Sequence, residues 1–184
     1  MTQRPEIIVL FNHDAAHQVA HVAGIARALS ERGDVRVTCA TGTPAIAARA
    51  AALIGPNARV AWLDLSLPRW KEAALSLPNR LAPVKRLARL DHHAPRLRAA
   101  SVIVSPERTC LRLKRRWAGG PMPAFAFVPH GAGDRSVSYH PDMANFDLIL
   151  VSGPKVAREM IAHGLGTAEN VVVVGYPKFD TVDL

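Results

Sequence analysis

The chain has 184 residues, 49% of them hydrophobic, which suits one folded domain with a sizeable core and excludes a disordered chain. Its two cysteines, Cys39 and Cys110, have neither a CxxC nor a Cys/His spacing; this excludes a disulfide framework, argues against a zinc site, and reads as two buried thiols in a reducing cytoplasm. The formal net charge of +8 is concentrated: Arg69–Arg116 holds 13 Lys/Arg against 3 Asp/Glu, whereas the rest of the chain holds 10 against 12.

No signal-peptide pattern opens the chain, and no apolar run approaches the ~20 residues that span a bilayer. Glu6–Phe11 reads as a buried parallel strand, broken by Asn12-His13-Asp14. Ala15–Arg32 reads as a helix with Val19, Val22, Ala23, Ala26 and Leu29 on one face and Gly33 as its stop. Val35–Ala40 is a second strand. Thr43 and Pro44 supply an N-cap and a first helical residue, and Gly55-Pro56 ends that helix. Arg59–Leu63 is a third strand.

The basic segment carries a helix over Asn79–Leu90, apolar at Leu81, Val84, Leu87, Ala88 and Leu90 and basic at Lys85, Arg86 and Arg89. Strands follow at Ser101–Val104, Ala124–Val128, Asp147–Val151 and Val171–Val174, with helices at Arg108–Trp117 and Pro154–His163, the latter stopped by Gly164. This alternation predicts an α/β fold: a doubly wound, Rossmann-like parallel sheet.

Ligands of such sheets bind at the carboxyl ends of the strands, near the switch in strand order. The segments following the strands are polar and glycine-rich there. After the first come His13, Asp14 and His17; after the fifth, His130, Gly131, Gly133, Asp134 and Arg135; after the sixth, Ser152; after the seventh, Gly175, Pro177, Lys178 and Asp180. His130 is a candidate general base, because an imidazole titrates near neutral pH and a strand end can both fix and expose it. Gly131 and Gly133 let backbone amides approach a phosphate, Asp134 could orient an imidazole, and Arg135 could hold an anion. A strand-end turn whose histidine bonds only the backbone accounts for the same residues equally well. His13, His17 and His21 are spaced by four, but without a converging carboxylate they do not form a metal site. Asp14 and His17 instead suit the N-terminus of the first helix, facing the same edge as His13 and His130. There is no GxGxxG, so no dinucleotide cofactor is expected, nor any other cofactor.

Three segments in order carry a resemblance: Phe127-Val-Pro-His130-Gly131, Phe146-Asp147-Leu-Ile-Leu-Val-Ser152-Gly153, and Val174-Gly175-Tyr-Pro177-Lys178-Phe-Asp180. Together they resemble the CDP-glycerol glycerophosphotransferases of teichoic-acid-type synthesis, over about the last 60 residues. The resemblance implies the N-terminal half of a two-domain GT-B transferase, with the acceptor on this half and the CDP-linked donor on a second domain. It implies transfer of glycerol-phosphate or a related polyol-phosphate to a cell-envelope polymer, with release of CMP. It assigns His130 as base, with Gly131 and Ser152 on the acceptor side and Gly175, Pro177, Lys178 and Asp180 on the interdomain side. The chain departs from the family in reading His-Gly-Ala-Gly-Asp-Arg where His-Gly-Thr-Pro is common, and in placing Lys178 where Arg is usual.

Only four residues follow Asp180, so residues 1–184 are expected to be one domain, with the donor's nucleotide held by a domain outside them. Other readings are a nucleotide-sugar glycosyltransferase or UDP-sugar epimerase half of the same fold, and a non-catalytic module binding an anion or a partner. A nucleic-acid partner is not expected, because the few aromatics form no stacking platform among the basic residues. The expected location is the cytoplasm, with peripheral attachment to an anionic membrane through the basic side of the 79–90 helix and the basic run ending at Arg116.

Overall fold

The computed structural model describes residues 4–13, 15–80, 82–129 and 139–181. Its centre is a seven-stranded sheet: β1 (Glu6–Phe11), β2 (Arg36–Thr41), β3 (Val60–Asp64), β4 (Val102–Ser105), β5 (Ala124–Phe127), β6 (Leu148–Val151) and β7 (Val171–Val173). The spatial order is β3-β2-β1-β4-β5-β6-β7, with every described pairing parallel. This is the doubly wound, Rossmann-like fold that the alternation predicted.

The central strands are apolar on both sides because helices cover both faces. On one face α1 (Ala20–Glu31) and α2 (Pro44–Ile54) press Val22, Ala26, Ile46 and Ile54 onto Val9, Phe11, Val37 and Cys39. On the other, α4 (Val84–His92), α5 (Ala94–Arg98), α6 (Leu111–Arg116) and α7 (Pro154–Ala162) bury Leu90, Leu97, Leu113 and Met160 against Ile8, Leu10, Ile103 and Ile149. Each such side chain contributes about 1.5–3 kcal/mol on burial. Both cysteines are buried, Cys39 in the first layer and Cys110 in the second, and burial pushes both thiols up to about 12.

Local signals behave as the chemistry requires. The Thr43 hydroxyl accepts from the Ile46 amide at 3.3 Å, Pro44 opens α2, and Gly55 leaves it with φ +90°. Gly164 leaves α7 at φ +67°. The first helix departs from expectation: a short 3-10 helix at Ala16–Gln18 precedes α1, and Arg32, already extended, ends it before Gly33. The expected helix over 79–90 is also divided. Pro83, with no amide hydrogen, separates a 3-10 turn at Pro78–Arg80 from α4, which runs on to His92. A short α3 (Arg69–Ala74), not foreseen, precedes it.

At the amino edge of the sheet Glu6, 5% exposed, holds three elements together. Arg96 of α5 makes a two-pronged contact to its carboxylate at 2.6 and 2.9 Å, Thr38 of β2 donates at 2.6 Å, and Arg36 lies 3.4 Å away.

Candidate functional site

The order reverses at β1, which has β2 on one side and β4 on the other, so the crevice that such sheets use opens beyond Phe11 and Ser105. Asn12 and His13 leave β1 there, Gly42 and Thr43 leave β2, and Glu107 follows β4. Asn12 donates to the Arg86 carbonyl at 2.9 Å, and its Oδ1 is buried with no hydrogen-bond partner among the described residues.

The basic side of α4 turns inward to this crevice, not outward to solvent. The Arg86 guanidinium meets the buried Glu107 carboxylate at 2.5 Å, and Thr109 donates to the same carboxylate at 3.2 Å. Arg89 is 3% exposed and reaches Glu72 of α3 at 3.4 Å, where Lys85 also arrives at 3.1 Å. A Cβ on Gly42 would stand 2.7 Å from Arg89 Nη1, so Gly42 gives that guanidinium its room. This corrects the expectation of a basic, membrane-facing side on this helix. Acidic residues of α3 and of the β4 exit meet the arginines, and a buried cation is retained only where such partners exist.

His13 is 1% exposed, edge-on to Phe11 at 6.5 Å between ring centres. It does not open on the edge as expected, because β1 is central and both faces of its exit are covered. His17 is exposed on the 3-10 turn. His21 is buried one turn further along, packed edge-on to Tyr176 at 5.8 Å. Burial lowers the His21 pKa, and the neighbouring Lys178 and His17 lower it further.

That last segment folds back across α1. Gly175 takes φ +80°, and Pro177–Thr181 forms a 3-10 turn against the helix. Arg27 donates to the Asp180 carbonyl at 3.1 Å. Gly24 permits the approach: a Cβ there would meet the Pro177 carbonyl oxygen at 3.0 Å and Asp180 Cβ at 3.2 Å. Gly24→Leu is therefore expected to lift this turn from α1. Hydrogen exchange should quicken at Tyr176–Phe179 while the sheet amides stay protected; unchanged exchange at those amides would refute the contact. Sequence reasoning missed Gly24 and Tyr176; a glycine inside a helix was the available signal.

Ser152 is partly exposed at the exit of β6, ahead of α7. Asp147 lies at the opposite edge, accepting from the Phe125 amide at 2.7 Å and Lys114 at 2.6 Å, a structural tie between β6, β5 and α6. Asp14, His130, Gly131, Gly133, Asp134 and Arg135 lie outside the described residues. Tyr139 donates its hydroxyl to Glu159 of α7 and stacks on His163 at 5.0 Å. Among the described residues no three His, Cys, Asp or Glu side chains converge as metal ligands, and no helix is long and apolar enough to cross a membrane.

No family model matches the sequence, and no match to a curated protein was found. Solved structures share the fold. A lipopolysaccharide outer core galactosyltransferase, WaaB, superposes with a TM-score of 0.54 at 10% identity, over 92% of this chain and 45% of its own. A UDP-N-acetylglucosamine 2-epimerase gives 0.64 at 12%, over 98% and 48%. The UDP-GlcNAc 2-epimerase from Neisseria meningitidis, solved with UDP-GlcNAc, gives 0.59 at 10%, over 96% and 48%. The chain thus has the fold of one half of a GT-B protein and spans about half the length of these relatives in structure.

Proposed function

We propose that this chain is the acceptor-side half of a GT-B transferase acting on a nucleotide-linked donor, with the donor's nucleotide held by a second domain across the crevice. The observation that carries this reading is the likeness over nearly the whole chain to one half of glycosyltransferases and UDP-sugar epimerases, together with polar side chains at the switch point. His17 and Lys178 come from opposite ends of the chain and share one electrostatic neighbourhood, suited to a phosphate-bearing ligand.

The finer reading rests on the three ordered segments that resemble CDP-glycerol glycerophosphotransferases. In it His130 takes the proton of an acceptor hydroxyl, whose oxygen attacks the polyol-bearing phosphorus of the donor. The bond from that phosphorus to CMP breaks, and CMP leaves. Gly131, Gly133 and Arg135 would receive acceptor phosphate, Asp134 would orient the base, and Ser152 would bind the acceptor. His13 and Asp14 would support the turn that carries His17. Gly175, Pro177, Lys178 and Asp180 would form the junction to the second domain. A cytoplasmic location, peripheral to the membrane, belongs to this reading. A UDP-sugar donor is the second reading, favoured by neighbours solved with UDP-GlcNAc or UDP.

The test measures binding and turnover of CDP-glycerol, CDP-ribitol and UDP-sugars by the protein together with the domain that completes the crevice. Acceptor-dependent release of CMP is the expected result. Turnover of a UDP-sugar alone would replace the donor assignment, and binding of none of these would sink the transferase reading.

A further inference from the structure

Four arginines far apart in the sequence meet at the amino edge of the sheet, opposite the crevice. Arg4 leads into β1, Arg32 follows α1, Arg36 opens β2 and Arg59 leads into β3. With Gly33 they line an open cavity of about 350 Å³, within the ~300–1,000 Å³ range of small-molecule sites. Strand pairing brings them together. The Arg36 amide bonds the Pro5 carbonyl at 2.9 Å, and β3 joins β2 with Val60 opposite Val37, which sets Arg59 beside Arg36. Their negative partners are too few. Asp34 is held by Arg32 at 2.6 Å, and Arg4 acts on that same carboxylate. Glu6 lies 3.4 Å from Arg36 but is already engaged by Arg96 and Thr38. Arg59 makes no ion pair among the described residues, and none of their carboxylates lines the cavity.

We propose that this cavity binds a small, multiply charged phosphate, its determinant a diphosphate group. A guanidinium is a planar fork that meets phosphate oxygens two at a time. Like charges on neighbouring strands repel, and a bound polyanion removes that repulsion. A diphosphate spreads its charge over two groups and so can meet Arg4, Arg36 and Arg59 together, where a single phosphate reaches fewer of them. Gly33 leaves the entrance open: nothing stands within 4 Å of the place its Cβ would take, and its backbone is not in the left-handed region, so no turn requires a glycine there. The diphosphate could be free pyrophosphate or part of a nucleotide, and the chemistry that recognises it is the same. The site lies at the edge of the sheet away from the crevice, and no step of the transferase reading uses it.

The experiment titrates the protein calorimetrically with pyrophosphate, UDP, CDP and sulfate at constant ionic strength, and follows amide chemical shifts in parallel. Pyrophosphate is expected to bind and to shift the amides of Gly33, Val35 and Val60. Arg59→Gln should weaken binding about tenfold, and Arg4→Gln with Arg59→Gln at least about thirtyfold. Gly33→Glu, which sets a carboxylate among the arginines, should abolish it, whereas Gly33→Ala should retain it. These side chains are exposed, so all variants should melt as the wild type does. Equal affinity for pyrophosphate and UDP would support the diphosphate as the whole determinant; tighter binding of UDP or CDP, lost in the same variants, would support a nucleotide as its source. No shift at Gly33 with millimolar pyrophosphate, affinity unchanged in the Arg4/Arg59 variant, or sulfate binding as tightly as pyrophosphate would overturn the proposal. Nucleotide-induced shifts confined to Asn12 and Gly42 would also overturn it, while leaving the transferase reading in place.

Discussion

His130→Ala is expected to lower turnover of the completed transferase by about 10²–10⁴-fold, the usual worth of a general base. The residue follows the described end of β5 closely. The Val128 amide bonds the Ser105 carbonyl at 3.0 Å, so the chain is held in sheet register to within two residues of the histidine. β5 neighbours β4, which borders the crevice, so the described part of this strand ends at the edge at which such sheets bind ligands. If it removes the acceptor's proton, the loss should fall on kcat, and on kcat/KM alike, because proton transfer belongs to the transition state. The acidic limb of the pH–rate profile should flatten in the variant. The thermal melt should keep its midpoint and cooperativity. A lost melt transition would make the histidine structural, and unchanged turnover would remove it from the mechanism.

Glu6→Gln should lower stability at pH 7 by about 2–3 kcal/mol, the second large effect. Burial acts to raise the Glu6 pKa, but hydrogen bonds from Arg96 and Thr38 and the charges of Arg96 and Arg36 outweigh it, and the carboxyl is held at about 2 in place of 4.5. A folded pKa below the unfolded one means that the unfolded chain binds the proton first. The stabilisation is therefore fully present above about pH 4.5 and is lost as pH falls toward about 2. The arginines reach the surface, so water moderates the gain. Urea unfolding of wild type and Glu6→Gln across this window provides the check. The two curves should converge near pH 2; a constant difference down to that pH would show that ionisation of Glu6 does not carry the effect.

Arg86 and Arg89 show where one-dimensional reading stops. Their spacing on α4 is that of a solvated basic face, and nothing within the helix distinguishes the two outcomes. The partners that draw them inward, Glu72 and Glu107, lie 17 and 21 residues away in sequence and meet them only through the crossing of α3 and the exit of β4. His13 reads as a polar residue in a turn, yet the layers on both sides of β1 enclose it.

The sequence by itself determined the seven strands, their α/β alternation and the edge at which polar residues collect. These depend on short apolar runs and on Gly and Pro punctuation, which act within a few residues. Thr43 and Pro44 started α2, and Gly55 and Gly164 ended their helices, through local backbone chemistry that needs no distant partner. Only the tertiary structure decided which charges are buried, which histidines open outward, and that the last segment returns across α1 to pack Tyr176 on His21. Those outcomes turn on contacts between residues far apart in the chain, and the desolvation that governs them does not exist until the layers close.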